Sequence, residues 1–276
     1  MSTSGAILQL DRVSKHFGGL NVIEDLTFAV RRGSRTALIG PNGAGKTTVF
    51  NLISGVFPVD VGSICMDGAD ITRIPSRDRI RHGIARTFQN VRLMPHLSTL
   101  ENVIVGQHSR SGGWRGILSP VNLNPRNRWR EEARAALADA GLAEYARASV
   151  GNLPYGIQKR IEVVRALLAK PALLLLDEPA AGLNPAETET LQLYLEKLSV
   201  DGGLTLLVVE HDMHFVGALC RDVIVLSFGK KIAEGSPDAI RHDPRVQEVY
   251  LGKPAAGPVV PVSPDITEHS RAACRA

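Results

Sequence analysis

The sequence predicts an α/β fold, a buried core sheet interrupted by a mostly helical insertion. Three stretches predict it. Ala37-Leu38-Ile39 is an apolar run that enters the loop Gly40-Pro41-Asn42-Gly43-Ala44-Gly45-Lys46-Thr47, with a helix expected over 48–54. Leu173-Leu174-Leu175-Leu176 is a second apolar run, and it ends on Asp177-Glu178. Between the two, from about residue 94 to 169, the periodicity is mostly helical.

The elements follow in order. Residues 7–13 and 22–30 read as strands, the second because Leu26, Phe28 and Val30 alternate with Thr27 and Ala29. His16-Phe17-Gly18-Gly19 reads as an exposed turn between them. After the first helix, 55–62 is loop and 63–66 a short strand closed by Asp67-Gly68. Residues 77–82 look helical, and 85–88 form a strand running into Gln89. Ser98-Thr99-Leu100-Glu101 is a capping box that opens a helix through about residue 107. Residues 109–128, rich in Gly, Pro, Asn and Arg, read as a surface excursion whose arginines form a solvated face. Helices over 130–140 and 158–169 complete the insertion. Then Asn184-Pro185-Ala186-Glu187 supplies an N-cap, a first-turn proline and an acid for a helix to about 198. Residues 204–209 form a buried strand ending at Glu210-His211. A hairpin at 223–226 and 231–233 turns on Phe228-Gly229-Lys230, and a short helix ends near Leu251-Gly252.

Composition sets limits on function. The 276 residues are 44% hydrophobic and 22% charged, ordinary for a globular protein with ample core. The net charge of +4 is slight and does not argue for nucleic acid as a partner. Cys65, Cys220 and Cys274 show no metal-ligand spacing and read as reduced thiols. The richest apolar run, 172–176, is strand-sized, and the N-terminus shows no leader pattern, so a role at a membrane is expected to come through a partner. His16, His82, His96, His108, His214 and His242 carry no signal beyond ordinary surface or core use.

The Gly40–Thr47 loop fits the phosphate-binding pattern Gly-x-x-x-x-Gly-Lys-Ser/Thr. Glycines let backbone amides converge on phosphate oxygens that side chains would obstruct. Lys46 can reach β- and γ-phosphates, the Thr47 hydroxyl can ligate Mg²⁺, and the following helix points its positive end at the same anions. A glycine turn that happens to end on an exposed lysine is the plain alternative. Asp177 and Glu178 sit where parallel strands present their chemistry, at the C-terminal end. There Asp177 would hold Mg²⁺, and Glu178 would orient or deprotonate the attacking water.

On these residues the chain resembles the ATP-binding subunit of an ATP-binding-cassette (ABC) transporter, over about residues 6–252. Gln89 matches the family's glutamine loop, and Leu153 to Gln158 occupies the signature position. Asp177-Glu178 matches the Walker B pair, Ala181-Gly182-Leu183-Asn184 the D-loop, His211 the switch histidine, and Phe17 the adenine-stacking aromatic. Ala85-Arg86-Thr87-Phe88-Gln89-Asn90, Leu153-Pro154-Tyr155-Gly156, residues 177–185 and Tyr250-Leu251-Gly252 resemble one of the two cassettes of branched-chain amino-acid importers. Pro154 and Ile157 depart from both the usual Leu-Ser-Gly-Gly-Gln and that subfamily's Leu-Ala-Tyr-Gly-Gln.

The resemblance implies a P-loop NTPase (RecA-like) core with an antiparallel β-subdomain and the helical insertion. It implies one ATP-binding domain over 6–252; the remainder, 253–276, with Pro254, Pro258, Pro261 and Pro264, reads as a disordered tail. The resemblance assigns catalysis to Glu178, His211 and Gln89. Nucleotide binding falls to Phe17, Gly40, Pro41, Asn42, Gly43, Ala44, Gly45, Lys46, Thr47, Thr48, Leu153 and Gly156, and metal binding to Thr47, Gln89 and Asp177. The implied cofactors are ATP and Mg²⁺. The implied partners are a second, different cassette, transmembrane permease subunits, and indirectly an external binding protein, with the chain at the cytoplasmic membrane face. Other transport systems, such as an exporter or lipopolysaccharide extraction, are the alternative. A chromosome or ribosome ATPase fits less well, since there is neither a long heptad insertion nor a second cassette.

Overall fold

The computed structural model describes residues 5–107 and 125–251. His108, Cys274, most of the expected excursion at 109–128 and the expected tail lie outside them.

The chain opens with β1 (Ala6–Phe17) and β2 (Leu20–Arg31), an antiparallel hairpin. β1 carries His16 and Phe17 to the end of the strand, leaving only Gly18-Gly19 as the turn, shorter than the sequence suggests. Next come β3 (Arg35–Ile39), α1 (Lys46–Ile53), β4 (Val61–Met66) and β5 (Ala69–Asp70). The stretch expected as one helix at 77–82 is a single turn, α2 (Ser76–Arg79), that tightens into a 3₁₀ turn and stops at Gly83. β6 (Ile84–Arg86) stops two residues short of the expected 88, although the Thr87 amide still donates to the Leu175 carbonyl at 3.0 Å.

Among the described residues, the α-helices α3 (Thr99–Val105), α4 (Pro125–Asp139) and α5 (Tyr155–Leu167) lie between β6 and the next strand. The Ser98–Glu101 capping box is present in both directions. β7 (Leu173–Asp177), α6 (Pro185–Val200), β8 (Thr205–Val209), α7 (Met213–Leu219), β9 (Asp222–Ser227), β10 (Lys230–Gly235), α8 (Pro237–Arg241) and α9 (Pro244–Leu251) complete the order. Asn184 caps α6, with Glu187 closing the box.

Two sheets result. One is antiparallel, in the order β2-β1-β4-β5; the other runs β10-β9-β3-β8-β7-β6, parallel from β9 to β6, with β10 antiparallel on β9. Strand alternation divides the core sheet between two hydrophobic layers. Ala37, Ile39, Leu174, Leu176, Leu206, Val208, Val223 and Val225 face the layer built with the inserted helices, α6 and α7. Leu38, Leu173, Leu175, Leu207, Val209, Ile224 and Leu226 face α1 and the antiparallel sheet. Both faces are covered, which is why these strands read as continuous apolar runs.

Register fixes the edge that matters. Leu38 pairs with Val209, and Val209 with Asp177. The C-terminal ends of β3, β8 and β7 therefore stand in one row, with β3 and β7 about 10 Å apart, two strand spacings.

Candidate functional site

The Gly40–Thr47 loop leaves β3 at this edge and returns as α1. Its glycines are required by contact. At Gly40 (φ +154) a Cβ would overlap the Leu226 carbonyl, and at Gly45 (φ +100) it would lie 2.6 Å from Ile23 Cδ1. At Gly43 a Cβ would meet nothing, so the crest of the loop is open. The Lys46 ammonium donates to the Gly40 and Pro41 carbonyls at 2.7 and 3.0 Å. Partial burial lowers its pKa, while Glu178 and Asp177 oppose that shift. Thr47 is exposed in the first turn of α1, whose amides have no intrahelical acceptors.

Across the row, Asp177 ends β7 buried, and its Oδ2 accepts from Arg86 Nη2 at 2.8 Å. Arg86 also donates to Asn51 Oδ1 (2.7 Å) and Ser54 Oγ (3.1 Å) at the far end of α1. Glu178 follows in a left-handed backbone (φ +46), its amide donating to Val209 O at 2.9 Å. Its Oε2 accepts from Gln89 Nε2 at 2.7 Å. Two residues 89 positions apart thus meet over the sheet edge.

The groups that hold this pair come from elements distant in the chain. Buried Lys159, on α5, donates to the Gln89 carbonyl at 2.6 Å and reaches the Glu178 carbonyl at 3.4 Å. Desolvation lowers its pKa. Buried Glu210, just past β8, accepts from the Ala180 amide (2.8 Å) and the His211 amide (3.1 Å), pinning the loop after Glu178. Desolvation raises the pKa of its carboxyl. The only hint in the sequence was that Glu210 ends a buried strand.

The remaining expected residues fall into three places. The His211 ring is exposed, with Nδ1 3.9 Å from Glu210 Oε2 and no hydrogen bond to Glu178. Phe17 ends β1 on the neighbouring sheet, 42% exposed, edge-on to Phe57 (centroids 5.1 Å apart) with Lys15 Nζ 5.2 Å from its centroid. Leu153 and Gly156 flank Pro154, the N-cap of α5, which offers no side-chain cap. Gly156 packs on the Glu187 carboxylate and Tyr155 on Gly182, so both meet the 182–184 loop and the first turn of α6 in their own chain.

The arrangement fits a nucleoside triphosphate with Mg²⁺. A glycine cradle, an ammonium, a helix start, a hydroxyl and a carboxylate converge on one edge. No cluster of three metal-ligating side chains occurs among the described residues. Mg²⁺ takes one or two protein ligands and completes its shell with phosphate and water, and here the Thr47 hydroxyl and the Asp177 carboxylate would be those ligands.

A family described as ABC transporter matches residues 23–181, more than half of the chain. The chain belongs to the ABC transporter family. It is an ATP-hydrolysing cassette, and a second match, to the branched-chain amino acid ATP-binding cassette transporter family, covers residues 230–256. The cassette is 38% identical to the high-affinity branched-chain amino acid transport ATP-binding protein BraF of Pseudomonas aeruginosa, over 91% of this chain and 99% of that one. Its fold is shared with a nucleotide-free ATP-binding cassette of an ABC transporter, at TM-score 0.80, 28% identity, 90% of this chain and 100% of that one. It is also shared with a cassette solved as a dimer after hydrolysis, bound to ADP and Pi, at TM-score 0.69 and 26% identity over 83% and 98%. No helix among the described residues of this cassette is long and apolar enough to cross a membrane.

Proposed function

We propose that this cassette powers an importer of branched-chain or related amino acids from the cytoplasmic face of the membrane, attached through permease subunits. The observation that carries the reading is the shared edge of Lys46, Asp177, Glu178 and Gln89, on a chain that matches BraF almost end to end.

Lys46 and the loop amides from Asn42 to Thr48 bind the phosphates, and Phe17 stacks on adenine, a contact worth about 1–3 kcal/mol. Thr47 and Asp177, with Gln89, would hold Mg²⁺, which would supply neutralisation of charge on the transferring phosphoryl group. Glu178 orients and deprotonates the attacking water, with Gln89 and Lys159 setting its position. His211 completes the site from the next strand end.

Tyr155 and Gly156 of the signature segment lie against Gly182 and Glu187 of their own chain, and on this reading a second cassette supplies its signature segment to this site. Pro154 has neither the hydroxyl nor the amide proton of the usual serine, which favours a different subunit as that partner. Full ATPase activity from this chain alone with its permease would reject that pairing. Closure of two cassettes on ATP and reopening after hydrolysis would move the permease through differential binding of the two states.

The permease seat we assign is a cavity of about 320 Å³ between the core and the inserted helices, lined by Arg79, Arg86, Phe88, Val105, Glu162 and Arg165. Arg79 Nη1, Arg86 Nε and Glu162 Oε2 are buried around it without hydrogen-bond partners. A polar group entering there would touch Arg86, which holds Asp177. In the test, Lys46→Ala removes a charge-assisted contact of about 1.5–3 kcal/mol, so ATP affinity by calorimetry should fall roughly 10- to 100-fold. Unchanged affinity would mean that the loop is not the site.

A further inference from the structure

The turn between β9 and β10 has a local sequence that its geometry does not ask for. Ser227 pairs with Lys230, so Phe228-Gly229 is a two-residue turn, and both residues have positive φ, +45° and +76°. Such turns favour Asn, Asp or Gly at the first position, because a side chain with a bulky Cβ substituent is strained there. The molecule follows that rule in its other tight hairpins: Asp67-Gly68 (φ +51° and +78°) joins β4 to β5, and Gly18-Gly19 joins β1 to β2. Phe228 breaks it, and its side chain is 87% exposed. Neither turn chemistry nor core packing accounts for this ring. A local rule broken without a gain in the folded chain points to function.

The turn is held rigidly, and it is held against the phosphate loop. The Gly229 amide donates to the Ala44 carbonyl at 3.0 Å, and the Gly229 carbonyl accepts from the Glu24 amide at 3.1 Å. Lys230 pairs with Glu24 at 3.1 Å, and a Cβ on Gly229 would overlap the Val22 carbonyl. β9 lies beside β3 with Val225 opposite Ile39, which puts the turn on the same C-terminal edge as Lys46. A body that lies down over Ala44 and Gly45 therefore also meets Phe228.

We propose that Phe228 is an aromatic anchor that the second cassette buries when the two cassettes close on ATP. The proposal rests on the two-cassette reading above. On that reading the body that covers the phosphate loop is the partner's, while this chain's own Tyr155 and Gly156 lie against Gly182 and Glu187. A rigid, exposed aromatic beside the point of closest approach is the usual composition of an interface hot spot.

The test uses the full chain, alone and assembled with its second cassette and permease subunits. Phe228→Asn suits the turn, so the isolated chain should melt at the same or a higher temperature, and its ATP affinity by calorimetry should be unchanged. In the assembled transporter the ATP concentration for half-maximal hydrolysis should rise about tenfold, equivalent to 1.4 kcal/mol. Phe228→Tyr should restore wild-type behaviour. An unchanged ATP requirement in the Phe228→Asn transporter would overturn the proposal. A fall in the isolated chain's ATP affinity would overturn it too, assigning the ring to the nucleotide. A lower melting temperature would show that the ring serves its own fold. Wild-type chain that binds no ATP would instead remove the functional reading on which the proposal rests.

Discussion

Arg86 and Asp177 pair at 2.8 Å with side chains only 9% and 8% exposed, so each charge depends on the other. Arg86 also reaches Asn51 and Ser54, tying the end of α1 to the end of β7. Removing one member of a buried pair leaves an uncompensated charge at a cost of about 3–5 kcal/mol. Arg86→Met should lower stability by about that much in urea denaturation, and Arg86→Met/Asp177→Asn should recover part of it. An unchanged midpoint in the single variant would show that Asp177 is adequately solvated. Glu162 offers a second check at this scale. Burial raises its pKa above the ordinary 4.5, against the opposing pull of the Arg92 amide, Arg165, Lys159 and Arg92. The native state then binds the proton more tightly than the unfolded chain, so the group favours folding at low pH and loses that contribution as pH rises from about 4.5 through the raised native value. Glu162→Gln removes the titration. Its melting temperature relative to wild type should therefore climb as pH is raised above 4.5. A difference independent of pH would contradict the assignment.

At the scale of elements, the phosphate loop is seated by its neighbours as much as by its own sequence. Gly40 faces the Leu226 carbonyl of β9, a backbone group fixed in the ladder, whereas Gly43 faces open space. Gly40→Ala should cost about 2–5 kcal/mol, because overlap adds to backbone strain. Gly43→Ala should cost only the left-handed φ, roughly 1–2 kcal/mol. Equal losses in thermal denaturation would mean that the loop does not rest on β9.

The core strands were legible because burial on both faces writes them as unbroken apolar runs, and the caps at Ser98 and Asn184 because their chemistry is local. What escaped was either short or distant. α7 has seven residues, too few for helical periodicity, and its one signal was Asp212, whose side chain caps His214 and Phe215. Arg86 meets Asp177 across 91 positions, and Lys159 meets Gln89 across 70. Arg86 read as part of a family-like string and Lys159 as an ordinary helix residue; only folding gives them their partners.

For the whole molecule, the central claim is that the sheet edge joining Lys46 to Glu178 hydrolyses ATP, with Glu178 as the base. The decisive measurement compares ATP binding and turnover of Glu178→Gln with wild type in the assembled transporter. The amide keeps the shape, and Gln89 still has an oxygen to donate to, but the side chain can no longer accept the proton from water. ATP binding should be retained while hydrolysis slows by roughly 10²–10⁴-fold, the usual loss for a general base. Turnover close to wild type, with binding intact, would contradict the account.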